Sequence, residues 1–514
     1  MAFCLPGGFR SLVPVDTWQL LVLCKEREER GKIGMLFSSL VFLLYFFPVT
    51  VVGYYCLKWN RKLQNIWLLF TSIFFYAWGE PKNVLLMLFS IVLNWGAGML
   101  IGRKGAGSSF KKKVMIVDCI CNLGILFVFK YLTFVVETLN GMTGRSMVPA
   151  VDIALPIGIS FFTFQALSYV VDVYKGKTEV ERNILYVGVY IAFFPQLIAG
   201  PIIQYSDIAE QIRSRKETVH KFSAGIARFS VGFGKKILLA NNLAILADYI
   251  FNWSKIGQEA YNVPALLAWL GAIAYTLQIY FDFSAYSDMA IGLGLIFGFK
   301  FRENFNYPYI ADSINDFWKR WHISLTDWFR EYVYFPLGGS RVKNKDTMVK
   351  NMFIVWLLTG IWHGAQWTFP IWGMLHFTAQ LAERFLDIGK MKGHRVIKHF
   401  YTMFIVTIGW VIFRADDLYQ AGIFLKNMFA MNRNGVFSAT ALMLVKEYWL
   451  WLLLGILFST PIARNINRML AEHKMGKAEH VYNACYPFAV IALVILGICY
   501  LSMGAYNPFI YFNF

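Results

Sequence analysis

Charged residues are scarce in this chain of 514 residues, where they make up 16% of the sequence against about 25% in an average soluble protein. Hydrophobic residues account for 57% and recur in long runs without charge. An ordinary soluble protein is excluded, because its polar residues would interrupt such runs at helical or strand spacing. The composition predicts a polytopic membrane protein built from α-helices.

Cysteine spacings that bind metal are also missing. The seven cysteines show no CxxC or zinc-ribbon pattern, and most stand alone in apolar stretches. Cys119 and Cys121 lie two residues apart in a predicted helix and therefore point to different faces. The cysteines are predicted to be small buried residues, and no metal site is expected.

Acidic residues are outnumbered, with 31 Asp and Glu against 49 Lys and Arg. The cations cluster in short stretches between apolar runs, including 111–113, 235–236, 341–350 and 390–398. Such clusters are typical of cytoplasmic loops, whose positive residues set the topology of a membrane protein. Topology therefore explains the basic excess, and no nucleic-acid partner is expected.

Residues 1–34 differ in character from the rest of the chain. Their charged run KEREERGK ends just before Met35, where a long apolar run begins. A bacterial ribosome-binding site is rich in purines, and purine-rich codons encode Glu, Arg and Gly. The run is therefore what translation of such a site would give. We predict that Met35 is the true start, that 1–34 is a non-native or disordered extension, and that 35–514 forms one membrane domain. A genuine cytoplasmic extension is the alternative.

A helix needs about 20 apolar residues to cross a bilayer, and the chain contains about a dozen candidates. They lie at 35–57, 63–79, 83–102, 114–139, 155–171, 184–204, 222–251, 263–299, 352–388, 399–414, 446–464 and 482–505. The runs 263–299 and 352–388 exceed one crossing, so each is predicted to contain a break or a return.

Two stretches depart from simple spanning helices. Pro195, Gly200 and Pro201 interrupt the run 184–204, and such a break survives at membrane depth only where protein or a cavity satisfies the freed backbone groups. The segment 301–348 mixes aromatic and charged residues at helical spacing, which suggests helices that lie along the cytoplasmic interface.

His363 lies in a run, 352–382, that contains no Asp, Glu, Lys or Arg. An ionisable residue in such a setting is a functional candidate, and burial favours a neutral imidazole that can accept a proton. Gly360 and Gly364 flank it and leave room for a second backbone or a substrate chain. Taken alone, the histidine is more typical of a hydrogen bond between helices than of catalysis.

A second histidine, His322, lies in the stretch FWKRWHISLTDWF. Its spacing from Trp318, Leu325 and Phe329 places these residues on one face of a helix. On this evidence alone the stretch is an amphipathic interfacial helix whose histidine reaches toward water.

Asp282 and Asp288 are the only charged residues between Val263 and Phe299. A carboxylate costs about 2.5–3.5 kcal/mol at the bilayer centre, so each must pair, neutralise or face water. Their separation of six residues places them on different helical faces, which disfavours a catalytic dyad. They are predicted to be structural partners of cations or backbone at a broken helix, and a proton or ion relay is the rival interpretation.

Several of these segments together resemble the membrane-bound O-acyltransferases. FWKRWHISLTDWFREYVYFPLGG followed by TGIWHGAQW is similar to the paired-histidine signature of that family. LPIGISFFTFQALSYVVDVYKG, FFPQLIAGPI and YTLQIYFDFSAYSDMAIGLGL resemble its bacterial branch, which includes the membrane subunit of alginate O-acetylation. The resemblance implies a ring of tilted helices around a thinned centre, with a cytoplasmic funnel for the acyl donor.

By this resemblance His363 corresponds to the family's catalytic histidine and His322 to its second important histidine. An acyl thioester is already activated, so the enzyme mainly aligns an acceptor hydroxyl and removes its proton. His363 is the predicted base. His322 could orient the thioester, stabilise the developing oxyanion or gate the funnel.

The chain ends in PFIYFNF, which resembles a tail motif that lies on a separate small peptide in teichoic-acid D-alanylation. Its tyrosine is thought there to carry the acyl group, and Tyr511 is the matching residue. A phenol, with a pKa of about 10, leaves more readily than an alkyl hydroxyl, so an acyl-Tyr511 ester would stay reactive. The alternative is an interfacial aromatic anchor beside Phe509, Phe512 and Phe514.

The branch implies transfer of acetyl from cytoplasmic acetyl-CoA, a donor substrate rather than a bound cofactor, to a cell-surface or secreted polysaccharide. The enzyme would lie in the cytoplasmic membrane of a bacterium and pass acetyl to an extracellular SGNH-hydrolase-like acetyltransferase. Lys235, Lys236, Arg341 and Lys343 are predicted to lie in cytoplasmic loops, where they could meet the phosphates of coenzyme A; positive-inside placement explains them equally well.

Other activities stay open at this point. D-alanyl transfer to teichoic acid is the nearest alternative, and acylation of a lysophospholipid or a protein is a third. A proton- or ion-coupled transporter belongs to a different class and would use Asp282, Asp288 and the histidines as a relay.

Overall fold

The apolar runs fold into helices because a helix satisfies its own backbone hydrogen bonds where water is missing. The computed structural model describes residues 35–144, 149, 153–255, 257–342, 344–386, 394–472, 476–504 and 506–510. The predicted extension 1–34, together with Lys343 and Tyr511, lies outside these residues. Every regular element in the described part of the chain is helical, as the sequence predicts.

The chain up to Arg213 contains eight helices within its described residues. They are α1 (Phe42–Cys56), α2 (Arg61–Gly79), α3 (Val84–Ile101), α4 (Ser108–Thr143), α5 (Ile159–Tyr174), α6 (Ile184–Ala192), α7 (Phe194–Leu197) and α8 (Tyr205–Arg213). Short π-helical turns open α1 and interrupt α4.

The chain after Arg213 supplies the centre of the fold and both histidine segments. Its helices are α9 (219–253), α10 (Ala265–Ile296), α11 (Ile314–Arg320), α12 (Ile323–Phe329), α13 (Lys345–His363), α14 (Thr368–Phe385), α15 (Arg395–Arg414), α16 (Leu418–Met428), α17 (Ala439–Phe458), α18 (Ile462–Glu472) and α19 (Gly476–Ser502).

Among the described residues, six helices are long and apolar enough to cross a membrane: α3, α4, α10, α15, α17 and the part of α19 from His480 to Ser502. The shorter helices α1 and α5 are also apolar. These spans confirm a multi-pass, all-α membrane protein.

The central helix is α10, and the predicted break within 263–299 is wrong, because α10 continues unbroken from Ala265 to Ile296. A helix of 32 residues is about 48 Å long, more than the hydrocarbon layer of about 30 Å. Protein covers α10 along its length, since nearly all of its residues are buried. Helix α9 packs along it so closely that a Cβ on Gly232 would lie 2.8 Å from the carbonyl oxygen of Ala285.

The two other predicted interruptions are confirmed. The run 352–388 is divided into α13 and α14 by the turn 364–367. After α6 and the short α7, residues 198–204 are not helical although they are buried. Side chains satisfy the freed backbone there: Ser324 Oγ accepts from the Ile202 N–H at 3.0 Å, and the Tyr190 hydroxyl donates to the Ile203 carbonyl at 2.7 Å.

Candidate active site

His363 is the last residue of α13, directly before the turn that leads into α14. The two helices touch backbone to backbone at glycines: a Cβ on Gly360 would lie 2.5 Å from the Phe369 carbonyl oxygen, and one on Gly373 would lie 2.5 Å from that of Trp356. The room predicted beside Gly360 is therefore filled by α14. This close hairpin fixes the backbone that carries His363.

The His363 side chain is packed among aromatic rings. Its ring centroid lies 4.9 Å from that of Trp372, 5.0 Å from that of Trp362 and 5.2 Å from that of Phe413. Only 8% of the residue is exposed, and within the described residues Nε2 has no hydrogen-bond partner. A neutral imidazole has one donor and one acceptor nitrogen, so the buried Nε2 of this ring retains an unused hydrogen-bonding capacity.

A cavity of about 160 Å³ lies against His363. The segment 155–161, at the start of α5, forms one wall, and Ile198 from the interrupted segment forms part of another. Its lining includes Lys130, Ser160, Trp362 and His363. The cavity is large enough for a small acyl group next to His363.

His322 lies between α11 and α12, so the single helical face predicted for Trp318 to Phe329 is wrong. The chain leaves the helix at Trp321, and His322 adopts the left-handed conformation, with φ 43° and ψ 53°. A non-glycine residue in this region costs about 1–3 kcal/mol, and such strain is found preferentially at functional sites.

The contacts of Asn304 explain this local structure. Its Oδ1 accepts from the Ser324 backbone N–H at 3.1 Å and from Ser324 Oγ at 2.9 Å, and it lies 3.2 Å from Nδ1 of His322. Because this oxygen is an acceptor, Nδ1 of His322 carries the proton. His322 is fully buried, and burial lowers the pKa of its imidazole to about 3.

The structure brings the two predicted histidines close to one indole. The Trp362 ring centroid lies 6.2 Å from that of His322 and 5.0 Å from that of His363. By contrast, His376 of the same uncharged run accepts a hydrogen bond at Nδ1 from the Trp318 indole N–H at 3.3 Å. His376 therefore has the interhelical bond that the sequence alone favoured for His363.

Lys235 and Lys236 lie in α9, in a π-helical stretch from Lys235 to Ala240, so their predicted placement in a loop is wrong. Each faces a carboxylate of α10: Lys235 Nζ lies 2.6 Å from Asp288 Oδ2, and Lys236 Nζ lies 2.6 Å from Asp282 Oδ1. Arg228 also pairs with Asp288 at 2.6 Å. The prediction that both carboxylates are structural partners of cations is confirmed, although the helix that carries them is unbroken.

The pair of Lys236 and Asp282 holds the C-terminal tail, of which residues 506–510 are described here. Asp282 Oδ2 accepts from the Ile510 backbone N–H at 2.9 Å, and Lys236 Nζ donates to the Pro508 carbonyl. Phe509 is only 5% exposed and packs inside the protein. Tyr511, for which an interfacial anchor was the alternative, lies outside the described residues. Buried charges of opposite sign satisfy one donor and one acceptor of the tail backbone.

Side chains fix the preceding part of the tail. The Tyr506 hydroxyl donates to Asp248 Oδ2 at 2.7 Å, and Arg414 binds the other oxygen of that carboxylate at 2.7 Å. Asn507 accepts from the Asn241 amide at 3.1 Å. The tail is therefore bound to α9, α10 and α15 up to Ile510, the residue before Tyr511.

Arg341 is an exposed residue that follows the turn after α12. It lies on a different segment from the ion pairs of Lys235 and Lys236, and Lys343 is outside the described residues. The four cations predicted to meet coenzyme A thus do not form one cluster among the described residues, and their phosphate-binding role stays a prediction.

Comparison with known proteins decides the family. Residues 180–388, which include both histidines, match the family model of the MBOAT, membrane-bound O-acyltransferase family. The probable alginate O-acetylase AlgI of Pseudomonas syringae pv. tomato is 43% identical over 400 residues, covering 77% of this chain and 75% of that protein. The chain belongs to the membrane-bound O-acyltransferase family.

Similarity to other members of this family extends over almost the whole chain. The probable alginate O-acetylase AlgI of Pseudomonas putida is 37% identical over 505 residues, which cover 93% of this chain and all of that protein. The peptidoglycan O-acetyltransferase of Helicobacter pylori is 31% identical over 528 residues, 93% of this chain and 98% of that protein. The chain is thus a membrane O-acyltransferase.

One residue of the site, Lys130, is missing from the sequence-based candidates. It is the only Lys or Arg in the predicted span 114–139, and it lines the cavity beside His363. An ionisable side chain within a membrane span is a functional candidate by default. The sequence shows Lys130 as such a residue, but it does not show that the Lys130 side chain contacts α13.

Proposed function

We propose that this membrane O-acyltransferase moves acetyl from cytoplasmic acetyl-CoA across the membrane for O-acetylation of a cell-surface or secreted polysaccharide. The observation that carries the proposal is the buried His363, which lines the cavity and whose Nε2 has no hydrogen-bond partner among the described residues. Relatives named for O-acetylation of alginate and of peptidoglycan support acetyl as the acyl group and a polysaccharide as the acceptor.

In the proposed reaction His363 Nε2 takes the proton of an acceptor hydroxyl while that oxygen attacks the thioester carbonyl carbon. The carbon–sulfur bond then breaks, the ester remains on the acceptor, and the departing thiolate of coenzyme A takes the proton back from the imidazolium. The contribution of His363 is general base and then general acid catalysis. Full burial of His322 and its bond to Asn304 favour an orienting role for that residue.

The tail supports Tyr511 as the first acceptor. Its neighbour Ile510 is bound to Asp282 and is 3% exposed, so the tail is packed within the protein up to the residue before Tyr511. A phenolic ester keeps the acetyl group reactive enough for a second transfer. That second transfer would pass acetyl to an extracellular SGNH-hydrolase-like partner and then to the polysaccharide, from an enzyme in the cytoplasmic membrane of a bacterium.

Intact mass tests the tyrosine step. The full chain, purified in detergent and incubated with acetyl-CoA, is expected to gain one acetyl group of 42 Da, and Tyr511→Phe is expected to abolish the gain. Tyr506→Phe is the matched control in the same tail, because the Tyr506 hydroxyl is occupied by Asp248. An adduct that survives in Tyr511→Phe would contradict the assignment.

A further inference from the structure

The long helix α4 contains one π-helical turn, Phe127–Tyr131, in the middle of 36 residues. Such a turn inserts an extra residue, changes the direction of the following side chains and occurs frequently at functional sites. Its last two residues are Lys130 and Tyr131. Both side chains reach the C-terminal end of α13, more than 200 residues away in sequence.

These two side chains bind three consecutive carbonyl groups of α13. The Tyr131 hydroxyl donates to the Ile361 carbonyl at 2.8 Å. Lys130 Nζ donates to the Trp362 carbonyl at 2.7 Å and to the His363 carbonyl at 3.2 Å. The third donor of the ammonium is directed to Ser160 Oγ, 3.4 Å away. The π-helical turn thus forms a clamp, Lys130 with Tyr131, on the turn that carries His363.

The clamp supplies hydrogen-bond donors to the carbonyl groups at the end of α13. The last four carbonyls of a helix have no partner within it, and many helices satisfy them with a left-handed residue that folds the chain back. Here the residue after the helix, Gly364, is extended, with φ −169° and ψ 164°. A cation at a helix C-terminus also complements the negative end of the helix dipole.

Lys130 makes this contact without a carboxylate partner among the described residues. No ion pair found in the described parts of the chain includes Lys130, although Lys235 and Lys236 in the same membrane domain are both paired. A membrane span normally tolerates a cation only where it is bound by other groups or has a function. Its ligands are the carbonyls of the candidate catalytic turn and one hydroxyl, all at the cavity wall.

We propose that Lys130, assisted by Tyr131, is a positioning residue that fixes the last turn of α13 and thereby holds His363 at the cavity. The proposal rests on the function of His363 proposed above. Lys130 acts through the backbone of His363 and requires no contact with the reacting atoms. A displacement of about 1 Å at a catalytic group lowers the rate on the order of 10²-fold, so the clamp should affect kcat far more than KM for the acyl donor.

The experiment uses the purified full chain and measures release of coenzyme A thiol from acetyl-CoA together with backbone hydrogen exchange in the last turn of α13. Lys130→Gln keeps two donors but removes the charge, Lys130→Arg keeps the charge, and Tyr131→Phe removes one hydrogen bond. Lys112→Gln is the matched control, since Lys112 is an exposed lysine on the same helix.

We expect Lys130→Gln to lower kcat on the order of 10²-fold with KM unchanged and to speed exchange at 360–363. Lys130→Arg should retain more activity than Lys130→Gln, and Tyr131→Phe should lie between Lys130→Gln and the wild type. A kcat of Lys130→Gln equal to that of Lys112→Gln would overturn the proposal. Loss of activity with unchanged exchange would overturn it too, because Lys130 would then not act by positioning.

A His363→Gln variant separates this proposal from the one on which it rests. If His363→Gln is inactive while Lys130→Gln is fully active, the base survives and the clamp is refuted. If His363→Gln keeps full activity, the catalytic assignment fails, and the clamp fails with it as a device for catalysis whatever the exchange rates are.

Discussion

Removal of the Lys236 ammonium should destabilise the protein far more than removal of the Lys235 ammonium. The side chains of Lys236 and Asp282 are 3% and 1% exposed and lie 2.6 Å apart. Loss of one partner leaves a buried charge uncompensated, which costs about 3–5 kcal/mol in free energy of unfolding. We therefore expect Lys236→Met to lose that amount and to loosen the tail, because the bond to the Pro508 carbonyl is lost as well.

Lys235→Met is the matched control. Its side chain is 27% exposed, its ion pair has the same 2.6 Å distance, and its partner Asp288 keeps a second cation, Arg228. A partly exposed pair contributes about 0–1 kcal/mol, so little stability should be lost. Unfolding by a denaturing detergent gives the free energies, and carboxypeptidase digestion followed by mass spectrometry reports release of the tail.

The double variant Lys236→Met/Asp282→Asn checks the physical cause. It leaves no buried charge, so its loss of stability should be smaller than the sum of the losses in Lys236→Met and in Asp282→Asn. Additive losses, or equal losses in Lys235→Met and Lys236→Met, would refute the argument that burial of an unpaired charge controls the stability of the tail site.

Three further outcomes follow from the site. Gly360→Val should prevent close packing of α13 on α14 and abolish folded protein in size-exclusion chromatography, whereas Gly96→Ala should be neutral, because a Cβ there meets nothing within 4 Å. Asn304→Ala removes the acceptor for Ser324 and His322, so it should lower both stability and activity; Asn304→Asp, which keeps an acceptor, should recover part of the loss. In the folded protein His322 binds no proton until the pH approaches 3, whereas in the unfolded chain it binds one below 6.5. The free energy of unfolding should therefore fall as the pH falls through this window. It should fall less steeply in His322→Gln.

Composition and run length predict most of the helices, because a bilayer sets the length of an uncharged span. They fail at α10, since run length does not say whether lipid or protein surrounds the ends of a helix. The break after His363 was predictable from a run too long for one crossing. The continuity of α10 follows only from its burial and from the cations that α9 supplies to Asp282 and Asp288.

The two histidines were predictable as members of a motif, but their geometry was not. The spacing of Trp318, His322, Leu325 and Phe329 fits a helical face, yet Asn304 and Ser324 hold His322 in a left-handed conformation between two helices. Lys130 escaped prediction for a related reason. Its bond to the Trp362 carbonyl joins residues 232 positions apart, and no local pattern records such a contact.

The central claim is that His363 removes the proton of the acceptor. Its most direct test is the rate at which the purified chain transfers acetyl from acetyl-CoA, compared among the wild type, His363→Gln and His376→Gln. His376 is a buried histidine of the same run, bound to Trp318, and glutamine keeps an acceptor for that bond. We predict that His363→Gln loses activity on the order of 10²–10⁴-fold, the usual contribution of a general base, while His376→Gln retains most of it. A His363→Gln variant as active as His376→Gln would contradict the account.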